Sequence, residues 1–156
     1  MADEQNGAPR LLLVGRVYVK NLSFKSPRVP DIFTDETRAE TNAETLMDMK
    51  STNAQIDAEH VEVTLTVTVR AVAAEETIFE IETAQAGVFR IVGYTPQERV
   101  EILARICPET LFPFARKTVD DVARRGGFPD VDLRPLDFHE LFVQNMREQA
   151  ARIAVT

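Results

Sequence analysis

The stretch His60–Arg70, HVEVTLTVTVR, alternates without a fault: Val61, Val63, Leu65, Val67 and Val69 fall on one side, His60, Glu62, Thr64, Thr66, Thr68 and Arg70 on the other. Successive side chains of a strand point to opposite faces, so this period of two predicts a strand with one buried face. Ala74-Glu75-Glu76 interrupts the pattern. Thr77–Thr83 resumes it, with Phe79 and Ile81 opposite Ile78, Glu80 and Glu82, and after Gly87 come the apolar pairs Val88-Phe89 and Ile91-Val92. Two more strands of a meander are predicted there. Upstream, Arg16–Phe24 is rich in β-branched and aromatic residues, and Leu46–Lys50 alternates weakly, with Met47 and Met49 on one side. The first half reads as an antiparallel sheet.

At Tyr94 the period lengthens. Thr95 and Glu98 form a capping box, Pro96 takes a first helical position, and Val100, Leu103 and Ile106 share one stripe, predicting a helix that ends near Cys107-Pro108. A second helix, with Pro113 in its first turn, carries Leu111, Ala115, Val119, Val122 and Ala123 as far as Arg124-Arg125, and Gly126-Gly127 closes it. Asp137 and Glu140 form another capping box, opening a helix through about Arg152 whose apolar face is Phe138, Leu141, Phe142 and Met146. Phe128–Leu136 is a proline-bracketed loop between these helices, and Pro27–Glu44 a long connection between strands. Strands first and helices after predict an α+β fold rather than parallel βαβ units.

A chain of 156 residues, 44% hydrophobic and 28% charged, suits one folded domain; residues 1–10 are expected as a flexible N-terminal tail and 150–156 as a short C-terminal one. No apolar run approaches the roughly 18 residues of a membrane span. Asp3 and Glu4 stand where a secretory signal carries Lys or Arg, so a cytoplasmic location is expected. With one cysteine, Cys107, and two histidines, His60 and His139, neither an internal disulfide nor a metal is expected. The sequence has no G-x-S-x-G or H-E-x-x-H, and Gly126-Gly127 follows a helix instead of opening one, so neither enzymatic activity nor nucleotide use, nor any cofactor, is expected. Cys107 is open to two readings, a small residue packed between helices or a reactive thiol. Both histidines read as surface residues.

The formal net charge is −7, and it is unevenly spread: residues 31–86 hold thirteen acids against three bases. Such a sector repels phosphate backbones, which argues against a nucleic-acid partner; it suits either a basic protein surface or plain solubility. Apolar residues also collect outside the strongly periodic elements: Phe24, Phe33, Phe128, Val131, Leu133 and Leu136 at loops and element ends, Met47 and Met49 on the weak strand. They can cover a sheet edge or subunit interface, or they can line a groove for extended apolar polypeptide, where methionine adapts to varied sequences.

Several stretches then match a pattern in order. They are Tyr18-Val-Lys-Asn-Leu-Ser-Phe24 with Pro27, Glu75-Glu-Thr-Ile-Phe79 continuing to Gln85-Ala-Gly-Val-Phe89, Cys107-Pro-Glu-Thr-Leu-Phe-Pro-Phe-Ala-Arg116, and Gly127-Phe-Pro129 with Leu133, Pro135, Phe138 and Leu141-Phe142. Through them the chain resembles the SecB family of export chaperones over about Val17–Gln149. The resemblance implies a four-stranded antiparallel sheet packed against C-terminal helices, assembled as a homotetramer that is a dimer of dimers. It also implies an ATP-independent holdase that binds unfolded precursor proteins and hands them to the SecA motor, without inserting into the membrane itself.

Carried over onto this sequence, the family's client groove falls on Phe24, Phe33, Met47, Met49, Phe128, Val131, Leu133, Phe138 and Leu141. Its motor-binding face falls on Asn21, Lys25, Glu75, Glu76, Glu80 and Glu82. Here the chain departs from the family pattern: Asn21 and Lys25 replace acids and Glu80 stands where an apolar residue is usual, while Glu82 keeps its acid. Two other readings stay open. One is a chaperone of this scaffold dedicated to a non-export client such as an antitoxin, without SecA docking; the other is a non-chaperone scaffold or small-ligand binder.

Overall fold

The alternating stretch forms the centre of the structure. In the computed structural model, which describes residues 9–34, 43–129, 131, 140, 143–144 and 147–148, four strands make one antiparallel sheet. They are β1 (Leu11–Lys25), β2 (Glu44–Gln55), β3 (His60–Ala73) and β4 (Glu76–Val92), in the order β1-β4-β3-β2. A 3-10 turn, Asp31–Phe33, lies between β1 and β2. The chain then continues as α1 (Pro96–Glu101), a π-helical turn (Ile102–Ile106) and α2 (Cys107–Arg125). The architecture is α+β, as the order of the elements predicts.

Val61, Val63, Leu65, Val67 and Val69 of β3 are all at most 1% exposed. Burial of each side chain contributes roughly 1.5–3 kcal/mol, so the inner face of this single strand is a large share of the driving force. Against it and β4 lies α2, which buries Cys107, Leu111, Ala115, Val119 and Ala123. These recur every four residues, a single ridge of mostly small side chains that lets the helix approach the sheet closely. Cys107 is fully buried, and burial pushes its thiol up to about 12. It is therefore the packed residue of the two readings, with no thiolate to react near neutral pH.

Four elements differ in extent from the sequence reading. β1 starts at Leu11 rather than Arg16 and carries two register shifts, and β2 runs on to Gln55 in unbroken register with β3. The two expected strands 77–83 and 88–92 are one strand, β4. Gly87 does not end a strand. A Cβ there would lie 3.1 Å from Leu111 Cδ2 and 3.2 Å from the Phe89 ring, so glycine is the residue that lets α2 close on β4.

The helix, expected to stop at Cys107-Pro108, does not stop there. Proline has no N–H for the carbonyl four residues back, and the chain accommodates this with wider π-type bonding, in which the Cys107 N–H reaches the Ile102 carbonyl. Pro113 consequently sits inside α2 rather than in the first turn of a new helix. Thr95 caps α1 as expected, accepting from the Glu98 N–H at 3.2 Å. Of the helix expected from Asp137, the described residues Glu140, Val143, Gln144, Arg147 and Glu148 are helical. At the other end, Arg10, assigned to the tail, lies over the Tyr94 ring and pairs with Glu98.

Ala74 and Glu75 make the two-residue turn between β3 and β4 with φ of 52° and 65°. Positive φ at both positions matches the twist of a hairpin, but it presses a Cβ against the backbone at a cost of roughly 1–2 kcal/mol per residue. Asn-Gly supplies the same turn without most of that strain. The double variant Ala74→Asn, Glu75→Gly is expected to raise Tm by roughly 3 °C in calorimetry; an unchanged or lower Tm would show that the turn is not strained.

Candidate functional site

Four phenylalanines meet at one end of the sheet. Phe24 comes from the end of β1, Phe79 from the start of β4, Phe33 from the 3-10 turn and Phe128 from the segment after α2. The ring centroids of Phe79 and Phe128 are 4.8 Å apart, those of Phe33 and Phe128 5.5 Å, and Phe24 lies 6.4 Å from both Phe79 and Phe128. These are tilted or offset contacts of the kind aromatic quadrupoles favour. Phe128 is 8% exposed and Phe33 47%, so the cluster has a buried floor and one ring on its rim.

The end of α2 builds this cluster. The Gly127 N–H donates to the Arg124 carbonyl at 3.0 Å and the Phe128 N–H to the Ala123 carbonyl at 3.0 Å, while Gly127 takes a φ of +87°. That is a Schellman closure, and it turns the chain back so that Phe128 falls onto the sheet. The glycines also make room. A Cβ on Gly126 would lie 2.3 Å from Phe24 Cζ, and one on Gly127 2.9 Å from Phe33 Cζ.

Of the residues assigned to a client groove, Phe24, Phe33 and Phe128 are thus brought together, and Val131 packs, partly buried, against the same core. Met47 and Met49 are also partly buried, but on the edge strand β2. Met47 pairs with Val69, Val69 with Ile81 and Ile81 with Phe24, so one row crosses the whole sheet. Val69 and Ile81 in its middle are fully buried. Met47 and Phe24 are therefore two rims about 14 Å apart, on either side of the core. Leu133, Phe138 and Leu141 lie outside the described residues. Sequence reasoning missed Phe79, which alternation places on the inner face; only the three-dimensional ring contact shows that it packs against Phe128.

The opposite face of the sheet carries the residues assigned to motor binding. Lys25 pairs with Glu80, Glu80 with Arg70 and Arg70 with Leu46; the next row is Ser23, Glu82, Thr68 and Asp48, and the third is Asn21, Ala84, Thr66 and Lys50. Residues paired across strands share a face, so acids and bases interleave. The acidic surplus of residues 31–86 is not concentrated here. Glu76 is engaged by Arg28 in an ion pair, and Glu75 stands in the strained turn. Among the described residues, no ion pair engages Glu80 or Glu82.

Further along this face, the Tyr18 hydroxyl and Lys20 Nζ both donate to the Glu62 carboxylate, the lysine at 2.7 Å. Lys20 first, then Tyr18, holds the Glu62 carboxyl below its usual range, and the bond to Glu62 pushes the Tyr18 phenol up to about 12. Glu62 is thereby a carboxylate already satisfied from within. Among the described residues no cluster of His, Cys, Asp or Glu could hold a metal ion, and no helix is long and apolar enough to cross a membrane. The arrangement offers apolar contact and charge.

The family model described as "Preprotein translocase subunit SecB" matches residues 4–149. The protein-export protein SecB of Hahella chejuensis is 40% identical over 139 residues, which is 89% of this chain and 85% of that protein. Those of Methylobacillus flagellatus and Chromobacterium violaceum are each 39% identical, over 96% of this chain and 95% and 97% of their own. In fold the chain is similar to a SecB-like chaperone from Mycobacterium tuberculosis solved in complex with an antitoxin peptide, with a TM-score of 0.64, 14% identity, and coverage of 81% of this chain and 88% of that one. With the family model spanning nearly its whole length and export proteins matched along theirs, the chain belongs to the SecB family.

Proposed function

We propose that this protein is an ATP-independent holdase that binds unfolded precursor proteins and delivers them to the SecA motor. The observation that carries the reading is the aromatic cluster with its half-exposed rim, on a scaffold whose relatives are named for protein export. A holdase needs apolar area that tolerates many sequences. Phenylalanine rings and the pliable Met47 and Met49 supply it, and neither requires nucleotide. Assembly as a homotetramer, a dimer of dimers, lets one long client occupy several weak sites at once and gain affinity from their linkage.

Delivery to the motor rests on the outer sheet face, where Glu80 and Glu82 stand next to each other along β4. A dedicated chaperone for a non-export client such as an antitoxin is the second reading, favoured by Asn21 and Lys25 at positions where the resemblance implies acids. Binding to the motor separates the two.

Dilution of a slow-folding secretory precursor from denaturant tests the holdase directly. Without nucleotide, light scattering is expected to fall as the protein approaches one tetramer per precursor, and undiminished scattering would sink the reading. Phe33→Ala removes the rim ring and leaves the buried floor. It is expected to weaken binding of the unfolded precursor by about tenfold, the effect of losing one well-packed contact; equal affinity, measured by fluorescence titration, would remove Phe33 from the groove. Glu82→Ala is expected to weaken SecA binding in isothermal titration, and unchanged affinity would take Glu82 out of the docking face.

A further inference from the structure

The outer face of the sheet is not a uniform acidic surface, and its pattern specifies what can lie on it. In the first row the sequence of charges across the strands is Lys25, Glu80, Arg70, then the neutral Leu46. In the second it is neutral Ser23, Glu82, neutral Thr68, then Asp48. Lys25, Arg70, Leu46 and Asp48 are exposed, and Glu80 and Glu82 half-buried between their neighbours. Adjacent strands are about 4.8 Å apart, and residues two apart on one strand about 7 Å. Glu80 is thus flanked on both sides by a cation within one strand spacing, while Glu82 has neutral flanks and a second acid two strands away.

A purely basic partner surface laid over this face would gain at Glu80, Glu82 and Asp48 and lose at Lys25, Arg70 and the exposed Lys50 of the third row. Like charges placed opposite each other cost as much as matched ones gain, and the cost selects against wrong partners more than the gain raises affinity. Two of the remaining acids are already engaged within the chain. Glu76 is paired with Arg28 and Glu62 with Lys20.

We infer that this face docks a partner segment of mixed charge, with carboxylates over Lys25 and Arg70 and a basic group over Glu82 and Asp48. The inference rests on the reading that the motor meets this face, and it specifies the chemistry of the motor segment. Docking is then set by register across the strands rather than by long-range attraction, so its affinity falls less steeply with salt than docking on an all-acidic face.

The test is a pair of charge reversals, Lys25→Glu with Arg70→Glu, and a milder second variant, Arg70→Gln. All these positions are exposed, and retained suppression of precursor aggregation shows that each variant is folded and able to bind clients. Two probes are titrated at low and at physiological salt: SecA from the same genome, and a Lys/Arg-rich peptide without acids. The reversal is expected to weaken SecA binding by about tenfold and strengthen peptide binding by a similar factor, with Arg70→Gln between. Tighter SecA binding to the reversed face would overturn the inference and leave delivery to the motor intact. SecA that binds neither the natural chain nor the variants, while precursor aggregation is still suppressed, would overturn delivery and this inference with it.

Discussion

Everything in this molecule hangs on the register of β3. Its inner residues are fully buried and its outer ones are threonines and charges, so a slip of one residue would bury Glu62, Arg70 and the threonines and expose five aliphatic side chains. No intermediate arrangement exists, and β2 and β4 must pair with β3 in one way only. That single way also sets the rows on both faces. The inner rows put Phe24 level with Met47; the outer rows put Glu80 between Lys25 and Arg70. The apolar surface and the charged surface are therefore two readouts of one pairing, held at a fixed distance by the thickness of a sheet.

The helical half contributes through its ends as much as through its packed ridge. The Schellman closure at Gly126-Gly127 redirects the backbone, and the missing side chains leave space for the rings of Phe24 and Phe33. A side chain at either position would have to displace an aromatic ring or adopt a strained backbone. The end of α2 and the aromatic cluster are thus mechanically one unit. The Phe33 ring, seated on Gly127 and Phe128 and about half exposed, is the most open part of that unit.

Much of the fold was legible because strong periodicity and local chemistry agreed. The β3 alternation, the Thr95 cap and the glycine pair after α2 are each signalled by residues within a few positions of one another. The misreadings fall where a distant contact decides. Gly87 looks like a strand end until Leu111 is seen occupying the place of its side chain. Pro108 looks like a stop until π-type bonding absorbs its missing donor. The aromatic residues were found by their odd positions outside periodic elements, whereas Phe79 was hidden by its regularity. The positions assigned to motor binding came from family resemblance alone, and the interleaving of charges became visible only with cross-strand partners assigned, because Lys25, Glu80 and Arg70 are far apart in the chain.

The strand order has a consequence for how the protein is made. β2, β3 and β4 are consecutive neighbours and can zip together locally, but β1, made before the other three, pairs among the described residues only with β4. Between Lys25 and Val92 the synthesis machinery needs roughly 3 to 13 seconds at ordinary elongation rates. Throughout that interval Leu11–Lys25 has no partner, and its pairing is the long-range step that slows sheet formation most. A protein proposed to guard other chains against premature association passes through the same hazard in its own nascent state.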